Sequence, residues 1–330
     1  MNIAINGFGR IGRLTLRLLA QMEDMHVVAV NDLTTPATLA HLLKYDSSQG
    51  AYPGKVNVSG SNLVVDGRSI PVYSEKDPSA LPWEALKVDV VIECTGVFRS
   101  EEDAGKHLQA GAGKVVISAP GKGAGVKTVV FGINHHELTP EHRIISNASC
   151  TTNCLAPVAA LLDKHFGIEK GYINTIHAYT GGQNLQDGPH KDLRRARAAA
   201  LNIVPTTTGA AKAVGLVLPQ LDGKLDGMAT RVPTITGSLT DLTAILQKET
   251  TAEELNAIMK EGAEKRFKGI LQYTEDPIVS TDVIGNLHSS IFDADLTRAN
   301  GKLVKVVSWY DNEMGYAART ADLVKYIGSL

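Results

Sequence analysis

In the first 150 residues, short apolar runs alternate with stretches whose apolar residues recur every three to four positions. Ile3–Asn6 and His26–Asn31 read as strands on either side of a helix, Arg10–Gln21, with Ile11, Leu14, Leu18 and Leu19 along one side. Val88–Glu93, Lys114–Ser118 and Thr128–Phe131 read as further buried strands, β-branched and bounded by Gly or Pro. Continuous apolar strands separated by helices predict an α/β fold, a Rossmann-type doubly wound parallel sheet covered on both faces. Lys55–Val58, Leu63–Asp66 and Gly67–Tyr73 look like hairpin pieces and predict an antiparallel insertion.

Past residue 150 the pattern changes. A helix, Cys150–Phe166, leads into a strand, Tyr172–Tyr179, and then a polar, basic loop, Thr180–Asn202. Long alternating strands follow at Gly237–Gln247, Ser289–Leu296 and Lys302–Tyr310. Between them Thr251-Ala-Glu-Glu254 has capping-box spacing ahead of a helix to Phe267. This grammar predicts an α+β domain with a mixed or antiparallel sheet over 150–312. The first domain then spans 1–149, and the amphipathic C-terminal segment 313–330 packs back on it.

Composition narrows the function. At 330 residues the chain exceeds one compact core and suits two domains. Its 33 Lys and Arg against 35 Asp and Glu argue against a general nucleic-acid or anionic-membrane binder. No apolar run approaches the roughly 20 residues of a membrane helix. Met1-Asn2-Ile3-Ala4-Ile5 carries no basic region or cleavage site, so the expectation is a cytoplasmic protein. Cys94, Cys150 and Cys154 are too few for a disulfide framework, and no second Cys/His cluster suggests a metal.

Gly7-Phe-Gly-Arg-Ile-Gly12 has the G-x-G-x-x-G spacing between a strand and a helix. Its glycines allow a tight turn and close approach of backbone to a pyrophosphate, and the helix start offers free N–H groups. A plain structural turn is the competing reading. Asp32 tips the balance, ending the second strand about twenty residues on, where an acid holds ribose hydroxyls. A 2′-phosphate beside it meets a like charge at about 4 kcal/mol, a sign that favours NAD over NADP.

Ser149-Cys150-Thr151 opens a helix, and a first-turn thiol lies in the positive end of the helix dipole, which favours thiolate. Cys154, one turn later, reads as packing, and Cys94 as a core thiol. His177 shares a strand face with Thr175, and is a base candidate because a nucleophilic Cys needs one. Arg195, Arg231 and the Thr206-Thr-Thr-Gly209 helix start read either as solvated surface or as a phosphate cluster.

Several segments then converge. Asn6–Gly12, Leu42-Leu-Lys-Tyr-Asp46, Ser149-Cys-Thr-Thr-Asn153, His190–Arg197, Thr208-Gly-Ala-Ala-Lys212 and Trp309-Tyr-Asp-Asn-Glu313 resemble the phosphorylating glyceraldehyde-3-phosphate dehydrogenase family, in order along essentially the whole chain. The resemblance implies NAD-dependent oxidation of D-glyceraldehyde 3-phosphate to 1,3-bisphosphoglycerate, through a thiohemiacetal and a thioester on Cys150, with His177 as base. It implies cofactor contacts from Gly7, Gly9, Arg10, Ile11, Gly12, Asp32, Lys76, Ser118, Asn312 and Tyr316. It assigns the substrate phosphate to Thr180, Arg195 and Arg231, and the attacking inorganic phosphate to Ser149, Thr151, Thr208 and Gly209. It also implies a homotetramer, with no metal, membrane or required nucleic acid. Gly188-Pro189 departs from the Leu-Pro of strictly NAD-using relatives, which loosens the expected discrimination against NADP. Two alternatives stand beside this reading. One is an erythrose-4-phosphate dehydrogenase of the same family, with water as acyl acceptor. The other is an NAD-binding redox sensor or interaction protein.

Overall fold

A computed structural model describes the chain from Met1 to Leu330, and its backbone divides into two compact units. The first comprises Met1–Phe131, His135–Ala148 and Ala317–Leu330; the second comprises Gly132–Asn134 and Ser149–Tyr316.

In the first unit the strands are β1 (Asn2–Asn6), β2 (His26–Asn31), β3 (Val56–Ser59), β4 (Asn62–Val65), β5 (Arg68–Tyr73), β6 (Val90–Glu93), β7 (Lys114–Ile117), β8 (Lys127–Thr128) and β9 (Ile144–Ser146). They form one sheet in the order β3-β4-β5-β2-β1-β6-β7-β9-β8. From β5 to β8 every pairing is parallel, while β3, β4 and β5 are joined antiparallel, which is the expected insertion at one edge. Helices α1 (Arg10–Leu19), α2 (Pro36–Lys44) and α3 (Glu101–Gln109) supply the crossovers. Ile3, Ile5, Val30, Ile92 and Val116 are fully or almost fully buried and form the core with Leu16, Leu19 and Leu43 of the helices. Strand order reverses between β1 and β6, so the crevice at the carboxyl ends of β1, β2 and β6 is where an open sheet of this kind takes a ligand. One expectation fails here. Thr128–Phe131 is a strand only at Lys127–Thr128, because the backbone turns at Gly132, whose φ is +87°.

The second unit carries β10 (Ile168–Ala178), β11 (Val204–Thr207), β12 (Leu225–Val232), β13 (Ser238–Leu246), β14 (Leu271–Thr274), β15 (Ser290–Asn300) and β16 (Leu303–Tyr310). Their order is β11-β12-β10-β13-β16-β15-β14, a mixed sheet in which β10 pairs parallel with β12 and antiparallel with β13. Helix α4 (Cys150–Phe166) packs against β13 and β15, flanked by α5 (Ala210–Val217) and α6 (Ala252–Glu264). Ser149 caps α4, its hydroxyl accepting from the Thr152 N–H at 3.1 Å. That cap sets where the first turn of α4 begins and therefore where the Cys150 side chain emerges. Thr251 and Glu254 form the expected capping box of α6.

Helix α7 (Met314–Ile327) closes the chain, and Ala321, Leu323, Val324 and Ile327 join the core of the first unit. No helix is long and apolar enough to cross a membrane.

Candidate active site

The parallel burial pattern of β10 turns Ile173, Thr175 and His177 inward. Cys150 lies in the first turn of α4, and its Sγ is 3.5 Å from His177 Nε2. The other ring nitrogen, Nδ1, is 2.7 Å from the Ala178 carbonyl. Nδ1 thus lies within hydrogen-bond reach of an acceptor and, at Arg231, of a donor; the tautomer that gives its Nδ1–H to the carbonyl is the one that leaves the Nε2 lone pair toward the sulfur. Arg231, on the neighbouring β12, donates to the same carbonyl at 2.9 Å and lies 2.7 Å from Nδ1.

This neighbourhood sets the charges. Burial lowers the His177 pKa to about 3, with the Arg231 and then the Arg195 guanidinium adding to the effect against the Ala178 carbonyl. The imidazole is therefore neutral at rest. Burial likewise pushes the Cys150 thiol up, while Arg231 and hydrogen bonds from Thr151 pull it down without reversing the shift. The helix-dipole argument anticipated a thiolate; desolvation outweighs that pull, and the resting pair is a neutral thiol beside a neutral imidazole.

One residue that the sequence placed in a strand and a motif without a role holds the segments of Cys150 and His177 in register. Tyr310, at the end of β16, is 1% exposed, and its hydroxyl is 2.9 Å from both Thr151 Oγ1 and Thr175 Oγ1. Its ring meets that of His177 edge-on at 5.9 Å. The tyrosine thus ties the first turn of α4 to β10. Thr151 consequently turns its hydroxyl inward to Tyr310. Cys154, also buried, contacts the Thr240 and Ser290 hydroxyls, and burial pushes its thiol up to about 12. It is a packing thiol, as anticipated.

Of the anion candidates, Arg231 and Arg195 lie close enough to act on the His177 ring. Arg195 Nε donates to Thr206 Oγ1 at 2.9 Å, and the same hydroxyl donates to Asp192 at 2.6 Å. A methyl group added at Gly182 would lie 3.8 Å from Thr180 Oγ1 and 3.9 Å from Arg195 Nη1, so these two groups face one gap. Arg231 Nε is buried with no partner. Burial lowers the Arg231 pKa, Cys150 and Tyr310 oppose that, and Arg195 adds like-charge repulsion; an arriving phosphate relieves both costs. Thr208 and Gly209 stand at the start of α5, where Thr208 Oγ1 accepts from the Ala210 N–H. Asn312 has its carboxamide oxygen fixed by Ser238 at 2.8 Å, which aims its Nδ2 donors the other way. Tyr316 is buried in the first turn of α7.

In the first unit the glycine turn borders a cavity of about 480 Å³ lined by Gly7, Gly9, Asp32, Lys76, Thr95 and Phe98, among others. Gly7 has φ +88°, and a Cβ there would meet the Thr95 amide at 2.7 Å; a Cβ on Gly12 would meet the Gly7 carbonyl at 2.3 Å. Gly9 faces open space, the arrangement that lets a pyrophosphate approach the backbone. Asp32 accepts the Phe8 N–H at 2.7 Å, which fixes the carboxylate beside the turn. Arg10 does not reach into the cavity with its side chain. It pairs with Asp46 and donates to Ser48 at 2.7 Å, leaving its backbone and that of Ile11 to face a ligand. Burial works against the Asp46 carboxylate, but Arg10 and the Gln49 and Ser48 N–H groups hold its pKa at about 2. Ser118 follows β7 at the same edge of the sheet, its N–H on the Glu93 carbonyl. Cys94 corrects the sequence reading, since it follows β6 and lines the cavity; burial still pushes its thiol up to about 12.

Comparison with known proteins agrees with both halves. The family model described as glyceraldehyde 3-phosphate dehydrogenase, NAD binding domain, matches residues 1–101, and the C-terminal domain of the same family matches 149–312. The chain is 57% identical over 331 residues to the glyceraldehyde-3-phosphate dehydrogenase of Geobacillus stearothermophilus, covering 100% of this chain and 98% of that one. It is 59% identical to the protein of that name from Thermotoga maritima, covering 98% of each.

Two predictions follow from the charges. An imidazole that is neutral when folded and titrates near its ordinary value when unfolded makes the unfolded state bind more protons between pH 6.5 and about 3. Stability therefore falls on acidification through that window. At pH 5 the His177 contribution amounts to about 2 kcal/mol, and urea denaturation of His177→Asn at pH 7 and pH 5 should show that pH dependence reduced. Because Arg231 favours the thiolate, Arg231→Ala should slow iodoacetamide alkylation of Cys150 at pH 7 and move its pH profile upward.

Proposed function

The chain belongs to the glyceraldehyde-3-phosphate dehydrogenase family, and from that premise we infer how its residues carry the reaction. It is an NAD-dependent oxidoreductase acting on D-glyceraldehyde 3-phosphate. The observation that supports the residue roles is the 3.5 Å approach of Cys150 Sγ to a buried imidazole beside Arg231.

Arg231 and Arg195, with Thr180, hold the substrate's phosphate, and so present the aldehyde to the sulfur. Cys150 attacks the carbonyl carbon as its proton passes to His177 Nε2. The imidazolium then faces the new oxyanion and stabilises it. Asp32 would hold the ribose of NAD along the glycine turn and Asn312 would hold its carboxamide, and the cofactor would supply the hydride acceptor for oxidation of the Cys150 thiohemiacetal to a thioester. The backbones of Gly7, Gly9, Arg10, Ile11 and Gly12, with Lys76, Ser118 and Tyr316, complete that binding surface.

Inorganic phosphate, held by Ser149, Thr208, Gly209 and the Thr151 N–H, attacks the acyl carbon. It releases 1,3-bisphosphoglycerate and the Cys150 thiolate, which recovers its proton. A thioester suits this because it keeps the oxidation free energy available to the acyl transfer.

A homotetramer in the cytoplasm is the setting we infer. Leu185, Leu193, Leu201 and Ile203 are 70–81% exposed on and just after the 180–202 loop, apolar side chains that a neighbouring chain would cover. All three cysteines are free thiols. Sedimentation should return the mass of four chains, and a monomer at micromolar concentration would remove the assembly from the account.

The chemistry is tested by following NADH with glyceraldehyde 3-phosphate and with erythrose 4-phosphate, each with and without inorganic phosphate. Turnover should need phosphate and prefer the triose; turnover indifferent to phosphate would reject the acceptor assigned here. Cys150→Ser should bind NAD normally and form no acyl-enzyme, because a neutral hydroxyl is a far weaker nucleophile.

A further inference from the structure

Behind the nucleotide cavity lies a closed network of buried polar groups that none of the proposed contacts uses. Glu93, the last residue of β6, is 1% exposed, and His107 of α3 is fully buried. Trp83 Nε1 donates to His107 Nδ1 at 3.0 Å. The neutral ring therefore carries its proton on Nε2, which donates to Glu93 Oε2 at 3.1 Å. Asn6 Nδ2 donates to the same oxygen at 2.5 Å. The other oxygen, Oε1, accepts the Thr95 N–H at 2.8 Å and the Thr95 hydroxyl. Thr95 Oγ1 in turn accepts the Val97 N–H at 3.0 Å.

Four donors from three segments thus converge on one buried carboxylate. A buried charge is tolerated only when so satisfied, and an apolar core of the same volume would be as stable or more so. What the charge does achieve is geometric. Thr95 is the surface on which the Gly7 turn rests, since a Cβ at Gly7 would meet both its amide nitrogen and its methyl group within 3 Å. Asn6 Oδ1 also accepts Asn31 Nδ2 at 2.7 Å, and Asn31 exchanges two 2.9 Å bonds with the Glu75 backbone. The ends of β1, β2 and β6 and the segments bordering the cavity are one hydrogen-bonded body.

We propose that Glu93, oriented by His107 and Trp83, is a positioning residue for the cofactor. It holds the Thr95–Val97 segment, and through it the Gly7 turn, in the shape that receives the adenosine half of NAD. This rests on the reading that NAD occupies the 480 Å³ cavity. The carboxylate is required because it presents acceptors on both sides. A glutamine has one acceptor oxygen, so Glu93→Gln sets its N–H₂ against donors at Thr95 or at Asn6 and His107, and one side must move.

The test uses the full-length protein with calorimetric titration of NAD and of 5′-AMP, which carries the adenosine half alone. It adds KM for NAD, kcat at saturating NAD and the thermal midpoint. Glu93→Gln should weaken NAD and AMP by the same factor, about tenfold, and raise KM for NAD alike, with kcat held within about twofold. Trp83→Phe keeps the ring and removes the donor that fixes the His107 tautomer, and should weaken both nucleotides by about threefold. It decides the matter alone should Glu93→Gln fail to fold. Unchanged affinities with a lowered thermal midpoint would reduce the network to a structural role, and weakened NAD with unchanged AMP would equally overturn the proposal. Asp32→Ala separates the premise: should it leave NAD binding intact, the cavity assignment fails and the proposal with it.

Discussion

The chemistry proposed for the second unit depends on holding one sulfur and one buried imidazole 3.5 Å apart. Neither backbone segment secures that distance alone. The thiol comes from a helix start and the imidazole from a strand end, on segments 27 residues apart, and each has its own freedom. Tyr310 removes that freedom, because its buried hydroxyl is bonded to a threonine on each segment. Relaxing either bond leaves a hydroxyl without a partner in the interior, at about 1–3 kcal/mol. The 3.5 Å approach is thus set by a residue outside the sulfur–imidazole pair.

Desolvation then decides the resting charge state. An exposed thiol at a helix start leans toward thiolate, and a thiol–imidazole couple in water can exist as an ion pair. Here burial acts against both ions, and Arg231 acts against the imidazolium while favouring the thiolate. The opposing effects leave a neutral pair whose proton moves only when the sulfur bonds to carbon. In the proposed mechanism substrate binding alters that balance, because a phosphate on Arg231 would cancel the charge that disfavours the imidazolium. On that proposal the substrate's own anion would prepare the base that its aldehyde needs.

The parts of the molecule legible from sequence were those governed by local rules. Gly7 and Gly12 could be read because no other residue fits where a Cβ strikes Thr95 or the Gly7 carbonyl. The β1, β2 and β6 runs stood out because a strand buried on both faces is apolar throughout. Strand β12 was missed although it pairs with β10 and carries Arg231. Its Asp226, Gly227 and Thr230 break any alternation, and only pairing to distant segments makes it a strand. The three-residue β9 is too short to show a period at all. Residue types were assigned more reliably than side-chain directions. Arg10 turned to Asp46 and Thr151 to Tyr310, partners 36 and 159 positions away. The Cys150 pKa failed for a related reason, since the dipole is a property of one helix and desolvation is a property of everything packed around it.

The two units solve the same problem with charges of opposite sign. Where β6 ends, an anion, Glu93, draws four donors onto itself and fixes the backbone that borders the cavity. Where β12 ends, a cation, Arg231, is left with a buried Nε that nothing in the chain answers. A fully satisfied buried charge produces rigidity, and an incompletely satisfied one produces affinity for whatever completes it. That distinction separates a residue that shapes a binding surface from one that belongs to it. It also accounts for the invisibility of the first kind in sequence motifs, because Glu93 reads as the polar end of an apolar strand until the chain is folded.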